Sequence, residues 1–213
     1  MTKLIPVTPL LAAFFCVVCL FACTPAPETT QELCVGQTTP IANVQGNGYV
    51  SPLLDEFLSV RGVVSLVQDN QGFYLEEAES DSSPDTSNAL YVQSSALPKD
   101  IARGSLIVVQ GRVAEIGEGR DTLTAIVGTT GIELCASDQA LPLTPASLPL
   151  DKARQESLEA MRIQVDDPLT VTDVYQFERG NITLSGNGMQ YVSTEVMAPG
   201  SQARKLSSRN RSF

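Results

Sequence analysis

The 213-residue chain contains no histidine and no tryptophan. Without histidine it lacks the commonest general base, the commonest metal ligand and every Ser–His or Cys–His nucleophile pairing. Aromatic residues of all kinds make up 6% of the chain, so few rings are on offer for stacking against a ligand. Positive charge is scarce as well: 14 Lys and Arg stand against 24 Asp and Glu. Lys3 and the four bases beyond Gly200 (Arg204, Lys205, Arg209, Arg211) lie outside the stretch from Cys23 to Gly200. That stretch keeps nine bases against 24 acids, a net charge near −15. Such a body repels a phosphate backbone unless its bases gather on one face, although an acidic surface also simply keeps an exported protein soluble. The apolar run from Leu10 to Ala22 is too short for a membrane-spanning helix, which needs ~20 apolar residues.

That run fits a secretory signal instead, with Lys3 as its positive end. Leu20-Phe21-Ala22-Cys23 has the pattern of a bacterial lipobox, with an aliphatic residue three before the cysteine and a small one just before it. An ordinary cleaved signal is the alternative. Lipidation makes Cys23 the mature N-terminus and anchors it through acyl chains, palmitate among them, at ~0.8 kcal/mol per buried methylene. The expected address is the bacterial outer membrane or cell surface, with residues 1–22 as signal and 23–40 as a polar tether. Cys16 and Cys19 leave with the signal, so Cys34 and Cys135 are the cysteines of the folded body. In an oxidising compartment they are a candidate disulfide, with two buried free thiols as the alternative.

From Ser59 to Val127 the chain alternates apolar runs with Gly, Asn and Asp punctuation, as strands joined by turns do: SVRGVVSLV, QGFYLEE, ALYV, GSLIVVQGRVAEIG and DTLTAIV. Gly62 and Gly111 fall inside two of these strands, where glycine marks a bulge or tight bend. The pattern predicts a mainly β fold: a small, partly open barrel over 41–137, with a β-sandwich sharing the strand count. Past a Pro-rich crossing, one short helix is expected from Asp151 to Met161. Strands are expected over 162–165, 169–177, 181–184 and 189–196, a β-rich extension over 138–200, and then a basic tail over 201–213. The loop from Glu79 to Asp85 offers Glu79, Asp81 and Asp85 as calcium ligands, without EF-hand spacing; Asp and Ser are also ordinary turn formers.

The order of the strand phrases resembles the OB-like module of large extracellular bacterial nucleases of the ExeM/NucH-like type. Ser51-Pro52-Leu53, the phrase Leu169-Thr170-Val171-Thr172 with Tyr175, Glu159-Ala160-Met161 and Ala198-Pro199-Gly200 fall where that family has similar phrases. The resemblance implies an OB-like barrel that contacts DNA weakly or docks a nuclease catalytic domain. It also implies that the catalytic endonuclease/exonuclease/phosphatase domain is missing here, so the chain is read as non-enzymatic, with no catalytic residue, metal or cofactor. A truncated nuclease fragment is one alternative, and an envelope lipoprotein with a protein- or glycan-binding barrel is another. On a barrel of this type the candidate contacts are Arg61, Tyr74, Tyr91, Arg103 and Arg112, which supply stacking rings and phosphate-reaching cations. The ordinary alternatives are core aromatics and solvated arginines.

The lipobox reading has a direct consequence. Cys23→Ser should move the protein from the membrane fraction to the soluble fraction, and unchanged membrane association of that variant would defeat it.

Overall fold

A computed structural model describes residues 32–210, apart from 70, 96, 120, 142, 180 and 187. The signal segment, Cys23, most of the tether and Arg211 lie outside the described residues. The end of the expected tether is structured: Glu32–Val35 forms a short helix, α1. Pro40, whose fixed φ suits a helix start, leads into α2 (Ile41–Gln45). Ile41 and Val44, three apart and so on one face, are fully buried.

Five strands follow: β1 (Phe57–Gln68), β2 (Gly72–Glu76), β3 (Ala89–Gln93), β4 (Leu106–Glu118) and β5 (Asp121–Ala136). They form a closed barrel in the order β1-β2-β3-β5-β4, the OB-like arrangement. Antiparallel ladders join β1 to β2 and to β4, β2 to β3, and β4 to β5. Closure is parallel and brief, through Tyr91↔Ala125 and Val92↔Ile126 alone. The small OB-like barrel expected from the sequence is present, its ring of five strands completed only by a two-pair seam. The strand expected over 121–127 runs on to Ala136 as one continuous β5, long enough to pair with β3 over Ala125 and Ile126 and with β4 along its length.

The core is the inward half of these strands: Val60, Val64, Phe73, Leu75, Leu90, Val92, Ile107, Val109, Val113 and Ile126, with Ile41 and Val44 of α2 packed into them. Each such side chain contributes about 1.5–3 kcal/mol by leaving water. Gly62 lies where α2 and β2 both crowd β1. A Cβ there would meet Ile41 Cδ1, Leu75 Cβ and the Glu76 carbonyl at 3.1 Å each. No bulge lies at Gly62; the irregularity of the β1–β2 ladder is between Val64 and Leu66. Gly111 does sit at a register shift, between Gln110 and Arg112, and a Cβ there would stand 2.5 Å from Ile126 Cγ2.

Beyond the barrel, β6 (Thr144–Ala146) pairs in parallel with β7 (Ile163–Val165) across α3 (Lys152–Glu156). Asp151 caps α3, its carboxylate accepting the Arg154 N–H at 2.8 Å. The expected helix to Met161 stops early. Leu158 is buried, Ala160 takes a left-handed φ of 60°, and Glu159 is drawn towards the barrel by its hydrogen bonds. A hairpin of β8 (Thr170–Asp173) and β9 (Thr183–Ser185) follows. The strand expected over 189–196 is absent; Ser193–Val196 is helical (α4). The expected basic tail is a ten-residue helix, α5 (Ser201–Asn210). Its Ala203 is buried and Leu206, Ser207 and Asn210 are partly so, a helical spacing that leaves Arg204, Lys205, Ser208 and Arg209 on the exposed side. No described helix is long and apolar enough to cross a membrane.

Cys34 and Cys135 are disulfide-bonded, with Cα atoms 5.6 Å apart and a sequence separation of 101. The bridge fastens α1 to the end of β5, helped by the Leu33 N–H donating to the Glu133 carboxylate at 2.8 Å. Replacing both cysteines by serine should lower stability by about 3–5 kcal/mol, the scale of closing so long a loop. Urea unfolding followed by circular dichroism measures this, and an unchanged midpoint would show that the bridge constrains little.

Candidate functional site

The predicted contacts do not converge. Tyr74 and Tyr91 face each other across the β2–β3 ladder, with ring centroids 5.0 Å apart and a tilt of 52°. Tyr91 is only 7% exposed, and its hydroxyl donates to the Gln71 carbonyl at 2.8 Å. The pair packs against itself, whereas a stacking platform needs an open ring face. Arg61 and Arg112 lie on one face of the β1–β4 ladder, Arg112 opposite Phe57, so four residues or roughly 13 Å separate them along the strand. Each guanidinium is engaged with backbone. Arg61 donates to the Cys34 carbonyl, holding α1 in place, and Arg112 donates to the Asp55 carbonyl at 2.8 Å. Arg103 stands apart from both, in the loop before β4, where it lines a shallow 450 Å³ depression with Arg162, Asp138 and Gln139. The structure thus brings the two tyrosines together and leaves the three arginines dispersed.

The loop nominated for calcium is organised from within. Asp81 accepts hydrogen bonds from the Ser83 N–H (2.9 Å), the Thr86 hydroxyl (2.8 Å) and the Asn88 amide (3.2 Å). Burial pushes its pKa up, but these bonds outweigh it and hold the carboxyl below its ordinary value. Among the described residues no group of three or more acidic or cysteine side chains is placed to hold a metal ion.

A different arrangement, invisible as a motif, emerges around the barrel: glutamates that accept backbone N–H groups of the segments packed on it. Glu77 accepts from Ile41 at the start of α2, and Glu76 accepts from Arg162 at 3.0 Å. Glu115 accepts from the Ser51 N–H (2.9 Å) and the Thr124 hydroxyl (3.1 Å). Glu159 accepts from the Thr124 N–H (2.9 Å) and the Gln45 amide (3.2 Å). Burial, only partly offset by these bonds, raises the pKa of Glu76, Glu77 and Glu159. Burial also raises Glu156, with the charges of Glu159 and Glu115 adding to the effect. The partners in these pairs lie 9 to 114 residues apart, so no local spacing announces them.

Glu156 opens onto a cleft of about 550 Å³ between the 47–49 turn, the 84–85 turn and α3. Tyr49, Asp85, Asp151 and Arg154 line it too. Asp151 is the α3 cap, and the Arg154 guanidinium donates to the Pro84 carbonyl and the Ser157 hydroxyl, each at 3.2 Å. Asp85 is exposed at the rim. The cleft therefore combines one ring with an excess of carboxylates, and its single cation is already bound to the protein.

No protein-family model matches the chain, and no curated protein matches it. Solved structures that match part of it include the hypothetical protein ygiW from E. coli, at 12% identity over 38% of this chain and 77% of that one, with a TM-score of 0.28. Another is a DUF3299 family protein from Pseudomonas aeruginosa PAO1, at 10% identity over 54% and 85%, with a TM-score of 0.29. No family model or curated protein supports the nuclease type, and neither structure is named as a nuclease-associated module. The nuclease resemblance does not stand. Its phrases are short alternating strands that any small barrel produces, and their order reflects the order of strands in a barrel.

The raised carboxyls set a direction for pH. A group whose folded pKa exceeds its unfolded value binds more protons folded than unfolded between the two values, so stability rises as pH falls through that window. Unfolding by urea should therefore require more denaturant near pH 5 than at pH 7. Lower net charge acts in the same direction, and a variant separates the two effects. Glu159→Gln keeps an oxygen for Thr124 and should be at least as stable as the parent at pH 7, with a shallower pH slope. A slope identical to the parent's would contradict the role given to Glu159.

Proposed function

We propose that the protein is an exported envelope lipoprotein, anchored through Cys23, whose barrel is a non-catalytic module that binds a cationic segment of a partner protein. The Cys34–Cys135 bridge supports export, because such bonds persist in oxidising compartments. The absence of histidine supports a binding role over a catalytic one. The observation that carries the choice of ligand is the distribution of charge at the concave surface. The cleft presents Asp85 and Glu156 beside Tyr49, while its one arginine is engaged by Pro84 and Ser157. A lysine or arginine side chain entering there meets carboxylates and the face of a ring, both attractive to a cation. Nucleic acid meets the opposite: dispersed arginines on a body of charge near −15. Asn47 beside Tyr49 gives the same cleft an amide and a ring, the pair of groups a sugar would use, so a glycan is the second reading.

The test is a titration of the mature chain with a lysine-rich peptide, a neutral oligosaccharide and single-stranded DNA, monitored by chemical-shift changes. The peptide should bind, weaken as salt is raised, and lose about tenfold in affinity in the Asp85→Asn/Glu156→Gln variant, roughly 1.4 kcal/mol. Oligosaccharide binding at the same residues would replace the peptide with a glycan. DNA binding tighter than peptide binding would overturn the reading.

A further inference from the structure

Eleven of the eighteen exposed large apolar side chains among the described residues fall in one short stretch, between Leu169 and Val196. The barrel itself exposes few. Val171 of β8 and Leu184 of β9 are register partners, so they sit side by side on one face of the hairpin, 46% and 39% exposed. The connection between these strands carries Val174, Tyr175, Phe177 and Ile182, with Tyr175 at 89% and Phe177 at 68% exposure. A concentration of this kind on an otherwise polar surface marks an interaction site.

The same lobe departs from the acidity of the rest of the body. From Leu169 to Asn210 the acids Asp173, Glu178 and Glu195 stand against the bases Arg179, Arg204, Lys205 and Arg209, and α5 turns Arg204, Lys205 and Arg209 to solvent on its outer side. α5 lies beside the hairpin: the Asn210 amide donates to the Tyr191 carbonyl at 3.0 Å, and Ser207 and Asn210 share a cleft with Thr172 and Leu184. Exposed tyrosine and phenylalanine next to a cationic helix, on a body that is otherwise strongly acidic, is the chemistry that an anionic bilayer surface selects. Distance agrees. If Cys23 carries lipid, the eleven residues from Cys23 to the disulfide at Cys34 can extend no more than roughly 40 Å, so the folded body stays within about one domain diameter of the membrane.

We propose that the 169–210 lobe is a second membrane contact: the β8–β9 hairpin tip enters the headgroup region of an anionic bilayer, and the outer face of α5 binds its acidic headgroups. The lobe orients the acidic cleft relative to the membrane that the lipid only tethers. The inference rests on the lipoprotein reading for its biological setting, but its test does not require the lipid.

The mature chain, residues 23–213 with Cys23→Ser, is mixed with vesicles of phosphatidylcholine alone and of phosphatidylcholine with phosphatidylglycerol, and binding is read by co-sedimentation. The chain should bind the anionic vesicles and weaken with salt. Arg204→Glu/Lys205→Glu should reduce that binding by at least about fivefold per residue, the effect of one juxtamembrane cation at an acidic surface. Tyr175→Ser/Phe177→Ser should reduce it by at least about tenfold, and both variants alter exposed positions that the fold does not use. No binding to either vesicle would overturn the proposal, as would binding that neither variant changes. Concentration-dependent self-association that is abolished by Tyr175→Ser/Phe177→Ser, without vesicle binding, would overturn it in favour of a second copy of the chain. Fractionation of the lipidated protein reports on the anchor separately, so failure of one reading leaves the other visible.

Discussion

Barrel closure hangs on a seam of two residue pairs, Tyr91↔Ala125 and Val92↔Ile126, and the apolar interior depends on it. Parallel pairing over so short a stretch offers few hydrogen bonds, so the seam must be held by what lies inside it. Val92 and Ile126 are both fully buried, and they meet Val60, Phe73, Leu90 and Val113 in one apolar interior. The hydrophobic effect, being non-directional, can draw the sheet shut where the ladder alone is weak. Directional bonds then fix the register on either side, along β4–β5 and β1–β4.

A closed barrel of five strands leaves many segments to be attached from outside, and here glutamates attach them. Glu77 receives α2, Glu115 the turn at Ser51, Glu133 helix α1, and Glu76 and Glu159 the chain that crosses from α3 to β7. An ionised carboxylate accepting a backbone N–H makes a strong hydrogen bond. Burial raises its pKa where such bonds and neighbouring charges offset it only in part, as at Glu76, Glu77 and Glu159. The arginines do the complementary work, Arg61 and Arg112 each donating to a backbone carbonyl. Charged groups that first looked available to a ligand are thereby used to hold the fold, which shifts attention to the cleft at Glu156 and to the apolar hairpin.

The strands were legible as apolar runs rich in Val, Ile, Leu and aromatic residues and bounded by Gly, Asn or Asp, as in β1, β2 and β4, because strand composition and turn punctuation are local features. The disulfide was legible from cysteine bookkeeping. Legibility faded after Glu156, where the helix expected to reach Met161 is cut short by contacts with Gln45 and Thr124, more than thirty residues away. It faded again at 189–196, where an apolar stretch with strand-like composition becomes a turn of helix. The site fared worse. Tyr74 and Tyr91, singled out as rings that could stack on a ligand, are turned by the fold towards each other.

By itself the sequence determined a mainly β body with alternating strands, a chain without histidine chemistry, an acidic surface, and a cysteine pair suited to one bridge. These follow from composition and from periods of two to four residues, which depend on near neighbours only. Tertiary structure alone decided that the barrel is shut, that its arginines and glutamates serve backbone groups, and that α5 and the β8–β9 hairpin gather cations and exposed apolar side chains in one lobe. Each of those outcomes depends on groups tens of residues apart meeting in space, and the free energy that decides them comes from burial and hydrogen bonds formed only after the chain has folded.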